Sequence, residues 1–335
     1  MSTYQKIHGR SIQAVTSDPP ASAGEGQVWY NTTSDTFKSG VISESWSSGA
    51  TLGSARYVSG GTGTTSAGLF TGGIRPPSAG SPPESSEVEE YDGSSWSEVN
   101  NMPEPRWSHS ITGTQTAAIA AGGYSSSLSP VYTNSSRSYD GTNWTTSGNM
   151  NTTRRNLNSC GTQTAALAAG GILPPGSSVS TAAETYDGSS WTSVNSFNTA
   201  RSYGYVIGTI PSAFIAGGST PAPTSYTNHE NYDGTNWSEA ATDLVTSGGA
   251  GNGGGTVTSA IIVGGGAQGN TGSQTFDGSA WATSATLATD KNARAGSGTT
   301  QNNSYVAGGG PAPGGASTAT EEFDRSVGVK TLTQS

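Results

Sequence analysis

Short apolar runs that end in two glycines recur along this chain at a nearly constant interval. Each run is about four or five residues long, which is typical of a buried β-strand and too short for a helix. Six copies occur, at intervals of 44–50 residues. The pattern therefore predicts a repeated unit with one buried strand in each copy. The glycine pairs are Gly72-Gly73, Gly122-Gly123, Gly170-Gly171, Gly217-Gly218, Gly264-Gly265 and Gly308-Gly309.

A second pattern follows each apolar run: an aromatic residue, Asp-Gly and a Trp, all within six residues. Asp-Gly supplies the positive φ that a tight hairpin turn needs, and Tyr and Trp favour strands that pack on one face. The pattern predicts two antiparallel strands in each copy. Full copies span 91–96, 139–144, 186–191, 232–237 and 276–281, and a copy without its Trp begins at Phe323.

Each repeat is expected to contain four strands. The first follows a recurring arginine, as in Trp107–Ile111, and a Gly-Thr-Gln-Thr turn leads to the apolar second strand. A variable loop leads to the third strand, which ends at Tyr-Asp, and the fourth begins at Trp. Four antiparallel strands at a period near 47 residues predict an all-β chain of six β-propeller blades. The arginines are Arg56, Arg106, Arg154, Arg201 and, at a wider spacing, Arg294; Ser247 stands in the fifth copy.

The first and last repeats are incomplete in complementary ways. The motif at Trp46 has no Tyr-Asp before it, and the motif at Phe323 has no Trp after it. We expect Val41–Trp46 to be the fourth strand of the blade whose third strand is Thr320–Asp324. The two ends would then close the ring and remove exposed sheet edges. The predicted domains are an arm at 1–40 and a six-bladed propeller at 41–335.

The first 40 residues carry no copy of the repeat. Gly26–Asn31 reads as a strand, Thr33–Asp35 as a turn and Thr36–Lys38 as a second strand, so a β-hairpin arm is predicted. Because the arm is the non-repeated part of the chain, we expect it to dock onto a partner. The candidate docking residues are Val28, Trp29, Tyr30 and Phe37.

Composition and charge limit the kinds of partner and site that are expected. The net charge is −9 and the basic residues are scattered, which argues against nucleic acid. A secretory signal is not expected from the first residues, and no apolar run approaches the roughly 18 residues of a membrane span. Cys160 alone cannot form an internal disulfide or a cysteine metal site, and we expect it to be a small, half-buried residue.

The titratable residues do not predict catalysis. The turn aspartates resemble the structural Asp-box of sialidases, although here Gly directly follows Asp, and the glutamates would be spread around the ring instead of paired in one cleft. His8, His109 and His229 have no metal-ligand spacing, so neither metal nor cofactor is expected. The arginines could form a ring that binds acidic ligands, or could bond carbonyls at blade junctions, and the repetition favours the second interpretation.

The loops between second and third strands differ in length and sequence while the strands stay nearly constant. Variable loops on a rigid scaffold are where recognition normally occurs. Aromatic and imidazole side chains there could stack on a sugar or pack in a protein interface. The candidate recognition residues are Tyr124, Tyr132, Tyr226 and His229.

The double glycine after an apolar strand, the later Tyr and the Trp five residues beyond it resemble the kelch repeat over residues 41–328. The phrases Tyr-Asp-Gly-(Ser/Thr)-x-Trp and Gly-Thr-Gln-Thr-Ala, together with Gly26–Asn31, resemble structural proteins of marine tailed bacteriophages, cyanophages among them. The resemblance implies a non-enzymatic tail or fibre component of the virion, present in many copies. Its arm would bind other virion proteins, and its propeller would attach to a host receptor or glycan, without membrane insertion.

Two alternatives remain open at this point. One is a carbohydrate-binding or sialidase-like propeller enzyme, which requires acids that converge on one mouth of the ring. The other is an intracellular kelch adaptor that binds acidic peptides through the ring of arginines.

Overall fold

The computed structural model describes residues 12–19, 27–76, 84–176, 178–220, 224–265, 271–289, 296–297, 301–310 and 316–332. These residues form strands, turns and loops, and none of them is helical. The chain divides into two compact units, one of Met1–Ser45 with Asp324–Ser335 and one of Trp46–Phe323. The predicted boundary between arm and propeller at residue 40 stays a prediction.

The first unit contains an antiparallel hairpin at the place that the sequence indicates. Its strands are β1 (Gln13–Val15), β2 (Val28–Asn31) and β3 (Thr36–Ser48). Strand β2 pairs with β3 in the register Asn31 opposite Thr36, and β1 runs parallel to β2. Strand β3 is longer than predicted, and its last residues belong to the second unit.

Five four-stranded antiparallel sheets follow one another in the second unit. The first holds β4 (Gly60–Thr64), β5 (Ala67–Thr71), β6 (Val88–Tyr91) and β7 (Trp96–Val99). The second holds β8 (Ser110–Thr114), β9 (Ala117–Ala121), β10 (Ser136–Tyr139) and β11 (Trp144–Ser147). The third holds β12 (Asn158–Thr162), β13 (Ala165–Ala169), β16 (Ala183–Tyr186) and β17 (Trp191–Val194), with a two-stranded hairpin of β14 (Ile172–Leu173) and β15 (Ser178–Val179) in its loop.

The remaining sheets complete the series. The fourth holds β18 (Tyr205–Thr209), β19 (Ser212–Ala216), β20 (His229–Tyr232) and β21 (Trp237–Glu239). The fifth holds β22 (Asn252–Thr256), β23 (Ser259–Val263), β24 (Ser273–Phe276) and β25 (Trp281–Thr283). The last strands are β26 (Gly296–Ser297), β27 (Tyr305–Ala307) and β28 (Thr320–Thr331), in a six-stranded sheet of order β1-β2-β3-β28-β27-β26.

The first strand of the second sheet begins later than the sequence indicates. Strand β8 runs over Ser110–Thr114, whereas the prediction was Trp107–Ile111. The cause is Ser108, which has a φ of 54° and therefore leaves the extended conformation. The residue before it, Trp107, makes an isolated bridge to Tyr124. The residues that precede β4, β12, β18 and β22 also include one with positive φ: Val58, Asn156, Tyr203 and Ala250.

The core forms because each second strand is buried on both faces. In β13, Ala166 and Ala168 pack against Ile119 of the preceding sheet. Alternate residues of the same strand, such as Leu167, pack with Ile215 of the following sheet. Successive side chains of a strand point to opposite faces, so one apolar run serves two sheet interfaces. This explains why the runs are uniformly apolar instead of alternating with polar residues.

Equivalent contacts within and between sheets recur around the second unit. In every copy the aromatic residue of the third strand packs on the Trp of the fourth, with ring centroids 4.8 Å apart for Tyr139 and Trp144. Trp46 and Phe323 make the same contact at 5.1 Å. The turn glutamine Gln115 donates hydrogen bonds to the carbonyls of Gly68 and Tyr91 in the preceding sheet, at 3.1 and 2.9 Å. First strands contact one another in the order β4, β8, β12, β18, β22, β26 and again β4.

The Asp-Gly turns are held by the aspartate carboxylate. Oδ1 of Asp92 accepts the backbone N–H groups of Ser94 and Ser95, each at 2.7 Å, and Gly93 has a φ of 92°. These hydrogen bonds favour the charged carboxylate and lower the pKa of Asp92 to about 2. The same arrangement lowers the pKa of Asp187 and of Asp277 to about 2.

We expect the triple variant Asp92→Asn, Asp187→Asn and Asp277→Asn to be less stable than the native protein at pH 5. The folded-state pKa values lie near 2, below the unfolded value of about 3.9, so the contribution of the three carboxylates is fully present above pH 4. It is lost as the pH falls through 2. Urea denaturation across this range should show the two stabilities converging, and a difference that stays constant down to pH 2 would contradict the assignment.

Candidate functional site

The recurring arginines are buried parts of the scaffold. Arg154 has no exposed surface, and its Nη1 donates hydrogen bonds to the carbonyls of Gly170 and Ala182 at 2.9 and 2.6 Å. Its Nη2 donates to Oε1 of Glu184 at 2.9 Å. The backbone carbonyl of Arg154 accepts the N–H of Gly123 in the preceding sheet at 2.8 Å. One residue therefore connects two sheets, by its backbone to one and its side chain to the other.

The glutamate of this pair is also saturated with hydrogen bonds. Besides Arg154, the carboxylate of Glu184 accepts the backbone N–H groups of Asn151 and Thr152, at 2.6 and 3.1 Å. Burial lowers the pKa of Arg154, and the charge of Glu184 opposes that shift. Because both groups are fully buried, each would be costly without the other. Equivalent pairs are Arg56 with Glu89 and Arg201 with Glu230.

Two sheets depart from this pairing, and neither leaves a buried charge without a partner of opposite charge. In the second sheet Arg137 occupies the position of the glutamate, and Glu104 forms ion pairs with both Arg106 and Arg137. In the fifth sheet the arginine is replaced by Ser247 and the glutamate by Gln274. The Gln274 amide oxygen still accepts the N–H of Val245 at 2.8 Å. Cation and anion therefore disappear together, as the cost of an unpaired buried charge requires. Arg294 lies outside the described residues.

These contacts decide between the two interpretations of the arginines. Each of the four described guanidinium groups bonds carbonyls of its own sheet, which is the structural role. With no exposed surface they cannot contact an acidic peptide. The fully buried set is Arg56, Arg106, Arg154 and Arg201.

The first strands surround a small polar cavity of about 170 Å³. Its described lining contains no Asp, Glu, Lys or Arg. His109, which lines it, shares a hydrogen bond of 2.9 Å with the hydroxyl of Thr71. Burial raises the pKa of Cys160 to about 12, so its thiol stays protonated and is a poor nucleophile. Within the described ranges, no cluster of three or more His, Cys, Asp or Glu side chains could hold a metal ion.

Two predicted recognition residues lie together in a half-buried cluster. The ring of Tyr124 lies 4.8 Å from that of Trp107 and 5.5 Å from that of Tyr132. The guanidinium of Arg155 lies over both Trp107 and Tyr132, at 5.5 and 5.3 Å from the ring centroids. We call these four side chains the aromatic cluster. Their geometry offers apolar ring faces beside a cation.

The aromatic cluster stands on positions that vary between copies of the repeat. Trp107 and Arg155 each directly follow a buried arginine, and Tyr124 directly follows Gly122-Gly123. Backbone hydrogen bonds of 3.0 and 2.9 Å pair Trp107 with Tyr124. The corresponding bridges elsewhere are Tyr57 to Ile74, Arg155 to Ile172 and Ser202 to Ser219. Trp107 and Arg155 were not predicted from the sequence, although variation beside a recurring arginine was a usable signal.

The other two predicted recognition residues lie elsewhere. Tyr226 is half-buried, with its ring 5.8 Å from the guanidinium of Arg201. The expectation that His229 lies in a loop is wrong, because it is the first residue of β20 and is 1% exposed. Its ring packs on Phe214 at 4.6 Å, and burial lowers its pKa. The side chain is core and presents no surface for stacking.

The candidate docking residues also differ in burial, and one of them belongs to the core. Trp29 is 6% exposed and donates a hydrogen bond from Nε1 to Asp18 at 3.0 Å, so it belongs to the core of its unit. Tyr30 and Phe37 pack on each other at 5.1 Å and are half-buried. Val28 is 37% exposed. Four of the five large hydrophobic side chains that are exposed in the described chain belong to the first unit: Val28, Val41, Val329 and Leu332.

Parts of the predicted loop surface lie outside the described residues. These are 77–83, Ser177, 221–223, 266–270 and 311–315, together with 1–11 and 20–26 of the predicted arm. Among the residues that are described, no helix is long and apolar enough to cross a membrane.

Comparison with known proteins defines the fold. No protein-family model and no curated protein matches this sequence. A solved structure described as "Structure of YjhT" superposes with a TM-score of 0.67 at 13% sequence identity, over 84% of this chain and 99% of the other. Together with the successive four-stranded antiparallel sheets, this similarity shows a β-propeller. At this level of identity the likeness concerns the fold alone.

We expect Arg154→Ser to lower the free energy of unfolding by about 3–5 kcal/mol, because Glu184 would be left buried without its cation. The double variant Arg154→Ser with Glu184→Gln reproduces the combination found in the fifth sheet. It should be more stable than Arg154→Ser alone by more than about 1 kcal/mol, as measured by chemical denaturation. A double variant no more stable than the single one would show that charge balance is not what links these positions.

Proposed function

We propose that this chain is a non-catalytic structural component of a virion, built as a closed, six-bladed kelch-like propeller. In this proposal the first unit docks onto the particle, and the variable loops of the propeller recognise a partner on the host surface. The observation that carries the docking role is the concentration of exposed apolar side chains in the first unit.

Closure of the ring is supported by contacts that repeat at the junction of the chain ends. Gly309 donates its N–H to the carbonyl of Arg56 at 2.9 Å, just as Gly73 donates to Arg106 at 2.8 Å. The hydroxyl of Tyr91 donates to Glu322, as that of Tyr139 donates to Glu90. Equivalent contacts at this junction support a ring of six blades.

A non-catalytic role is supported by what the acidic residues do. The aspartates of the hairpin turns accept backbone N–H groups, and the glutamates of the third strands neutralise buried arginines or accept loop N–H groups. Glu321, for example, accepts the N–H groups of Ala288 and Thr289 at 2.7 and 3.0 Å. A general acid and base need free carboxyl groups in one cleft. The described lining of the central cavity offers none.

Docking by the first unit is supported by its surface. Val28, Val41, Val329 and Leu332 are 36–44% exposed, although the first unit is a small fraction of the chain. Scattered exposed apolar residues are normal, but their concentration on one small unit is typical of a protein–protein interface. The second unit contributes only Val245 to the described set.

The virion context is supported by the resemblance of the repeats and of Gly26–Asn31 to phage structural proteins. A rigid propeller suits this context because its stability comes from contacts between neighbouring blades, which leaves the loops free to differ. Recognition is assigned to those loops, where the aromatic cluster lies on a frame of recurring arginines and glycines.

We expect Trp46→Ala to lower the free energy of unfolding by about 2 kcal/mol, because the Trp46–Phe323 contact would complete the sixth blade. The matched control is Trp144→Ala, which removes an equally half-buried Trp from the second sheet. Thermal or urea denaturation should give similar losses for the two variants. A nearly neutral Trp46→Ala beside a destabilising Trp144→Ala would argue for an open ring.

We expect the double variant Val329→Glu with Leu332→Glu to enter particles at least about tenfold less than the native chain, because charges would be buried at the docking interface. The control is Val245→Glu, which changes an exposed valine of the second unit. Immunoblots of purified particles, normalised to a major particle protein, measure incorporation. Equal incorporation of the double variant, or absence of the native chain from particles, would overturn the docking proposal.

A further inference from the structure

Arg155 differs from the other arginines of the described chain in having no carboxylate partner. All the others form ion pairs with glutamates: Arg56, Arg75, Arg106, Arg137, Arg154, Arg201 and Arg325. The Nε atom of Arg155 has no hydrogen-bond partner among the described residues, a property that it shares with the Nε atoms of other arginines: Arg56, Arg75, Arg106, Arg137 and Arg154. Arg155 is distinguished by its charge, which no described carboxylate neutralises and which an anionic ligand can pair.

The position of the guanidinium suits an anion that approaches along its edge. Trp107 and Tyr132 lie within 6 Å of it as cation–π partners, at 5.5 and 5.3 Å. The contacts with the two rings position the guanidinium of Arg155, and they do not involve its N–H groups. A guanidinium presents two parallel N–H groups that match the two oxygens of a carboxylate.

Neighbouring contacts hold the aromatic cluster in place. Oε1 of Glu84 accepts the indole N–H of Trp107 at 3.2 Å, and Oε2 accepts the N–H and hydroxyl of Ser126 at 2.8 and 3.0 Å. The hydroxyl of Tyr132 reaches the carbonyl of Pro175 at 3.4 Å. Rings that are already positioned lose little conformational entropy on binding, which favours affinity.

The surroundings favour a ligand with one carboxylate and an apolar face. Net charge of −9 opposes the approach of a dense polyanion, so recognition of an anion here depends on short-range contacts. Glu84, which accepts a hydrogen bond from Trp107 of the aromatic cluster, adds a negative charge there and further disfavours a multiply charged group. Trp107, Tyr124 and Tyr132 are half-buried, so part of each ring remains accessible to an apolar ligand surface. A pyranose that carries a carboxylate combines a flat C–H face and one anion in a single rigid unit.

We propose that the aromatic cluster binds a carboxylated pyranose of a surface polysaccharide, with Arg155 on the carboxylate and Trp107, Tyr124 and Tyr132 around the sugar ring. This inference rests on the proposed recognition role of the loops and names its ligand class. The cluster is a binding site, and no bond of the sugar is made or broken.

The test is calorimetric titration of the full-length protein with trimers of galacturonate, glucuronate and mannuronate. Each trimer is paired with its methyl ester, which keeps the sugar's shape and removes the charge. We expect at least one trimer to bind better than its ester. Arg155→Gln should weaken that binding by about 10- to 100-fold, the range for a charge-assisted hydrogen-bonded pair, and Arg155→Lys should restore part of it.

The matched control is Arg75→Gln, which removes a half-exposed arginine that is already paired with Glu87. It should leave the affinity unchanged. Thermal unfolding of Arg155→Gln should stay close to that of the native protein, since Arg155 forms no ion pair with the described residues and its two cation–π contacts are at a half-buried site. This separates lost binding from lost folding. Tyr132→Ala should weaken the acid and the ester alike, because it removes a ring face and not the cation.

The possible results test the ligand class and the recognition role of the loops separately. Equal affinity for acid and ester, or an Arg155→Gln variant with native affinity, would overturn the carboxylate assignment, while recognition by the loops would stand if Tyr132→Ala still lost binding. Failure of all three trimers to bind would overturn the sugar assignment. If a peptide with a free C-terminal carboxylate bound instead through Arg155, the site would recognise proteins, and the sugar proposal would be wrong.

Discussion

The buried ion pair between an arginine before the first strand and a glutamate in the third is the constraint on which the second unit depends. Arg154 shows how it acts: its backbone bonds the preceding sheet, and its side chain bonds two carbonyls and Glu184 in its own. A buried charge without a partner is too costly to persist, so each buried arginine requires a carboxylate. In the second sheet Glu104 takes the place of the missing third-strand glutamate, and in the fifth sheet the arginine and the glutamate are both absent.

This frame also determines where the molecule can vary. The residue after each buried arginine and the residue after each double glycine lie opposite each other, held by backbone hydrogen bonds that do not depend on the side chain. Their side chains can therefore change from one sheet to the next without loss of the fold. In one place this freedom produces Trp107, Tyr124 and Arg155 side by side. The residues that repeat in each sheet hold the fold rigid, and the candidate site lies where residues differ between the copies.

Much of the fold was predictable because its determinants are local. The Asp-Gly turn, the Tyr–Trp pair and the uniformly apolar second strand depend on residues within one repeat, so their period reveals strands and hairpins directly. The site was less predictable. Tyr124 and Tyr132 were found from loop position, but Arg155 is contributed by the next sheet, and His229 was misplaced because a polar residue at the edge of a variable loop resembles loop sequence.

The amino-acid sequence by itself determined the repeat, its strands and their all-β class, since turn chemistry and side-chain alternation act over a few residues. The tertiary structure alone decided which charges are paired, which aromatic residues are core and which form a surface. Arg154 and Arg155 are adjacent in sequence, yet the first is fully buried against Glu184 and the second lies half-exposed between two rings. The difference arises because successive residues of an extended chain point to opposite sides, and only the packed neighbours decide what each side meets.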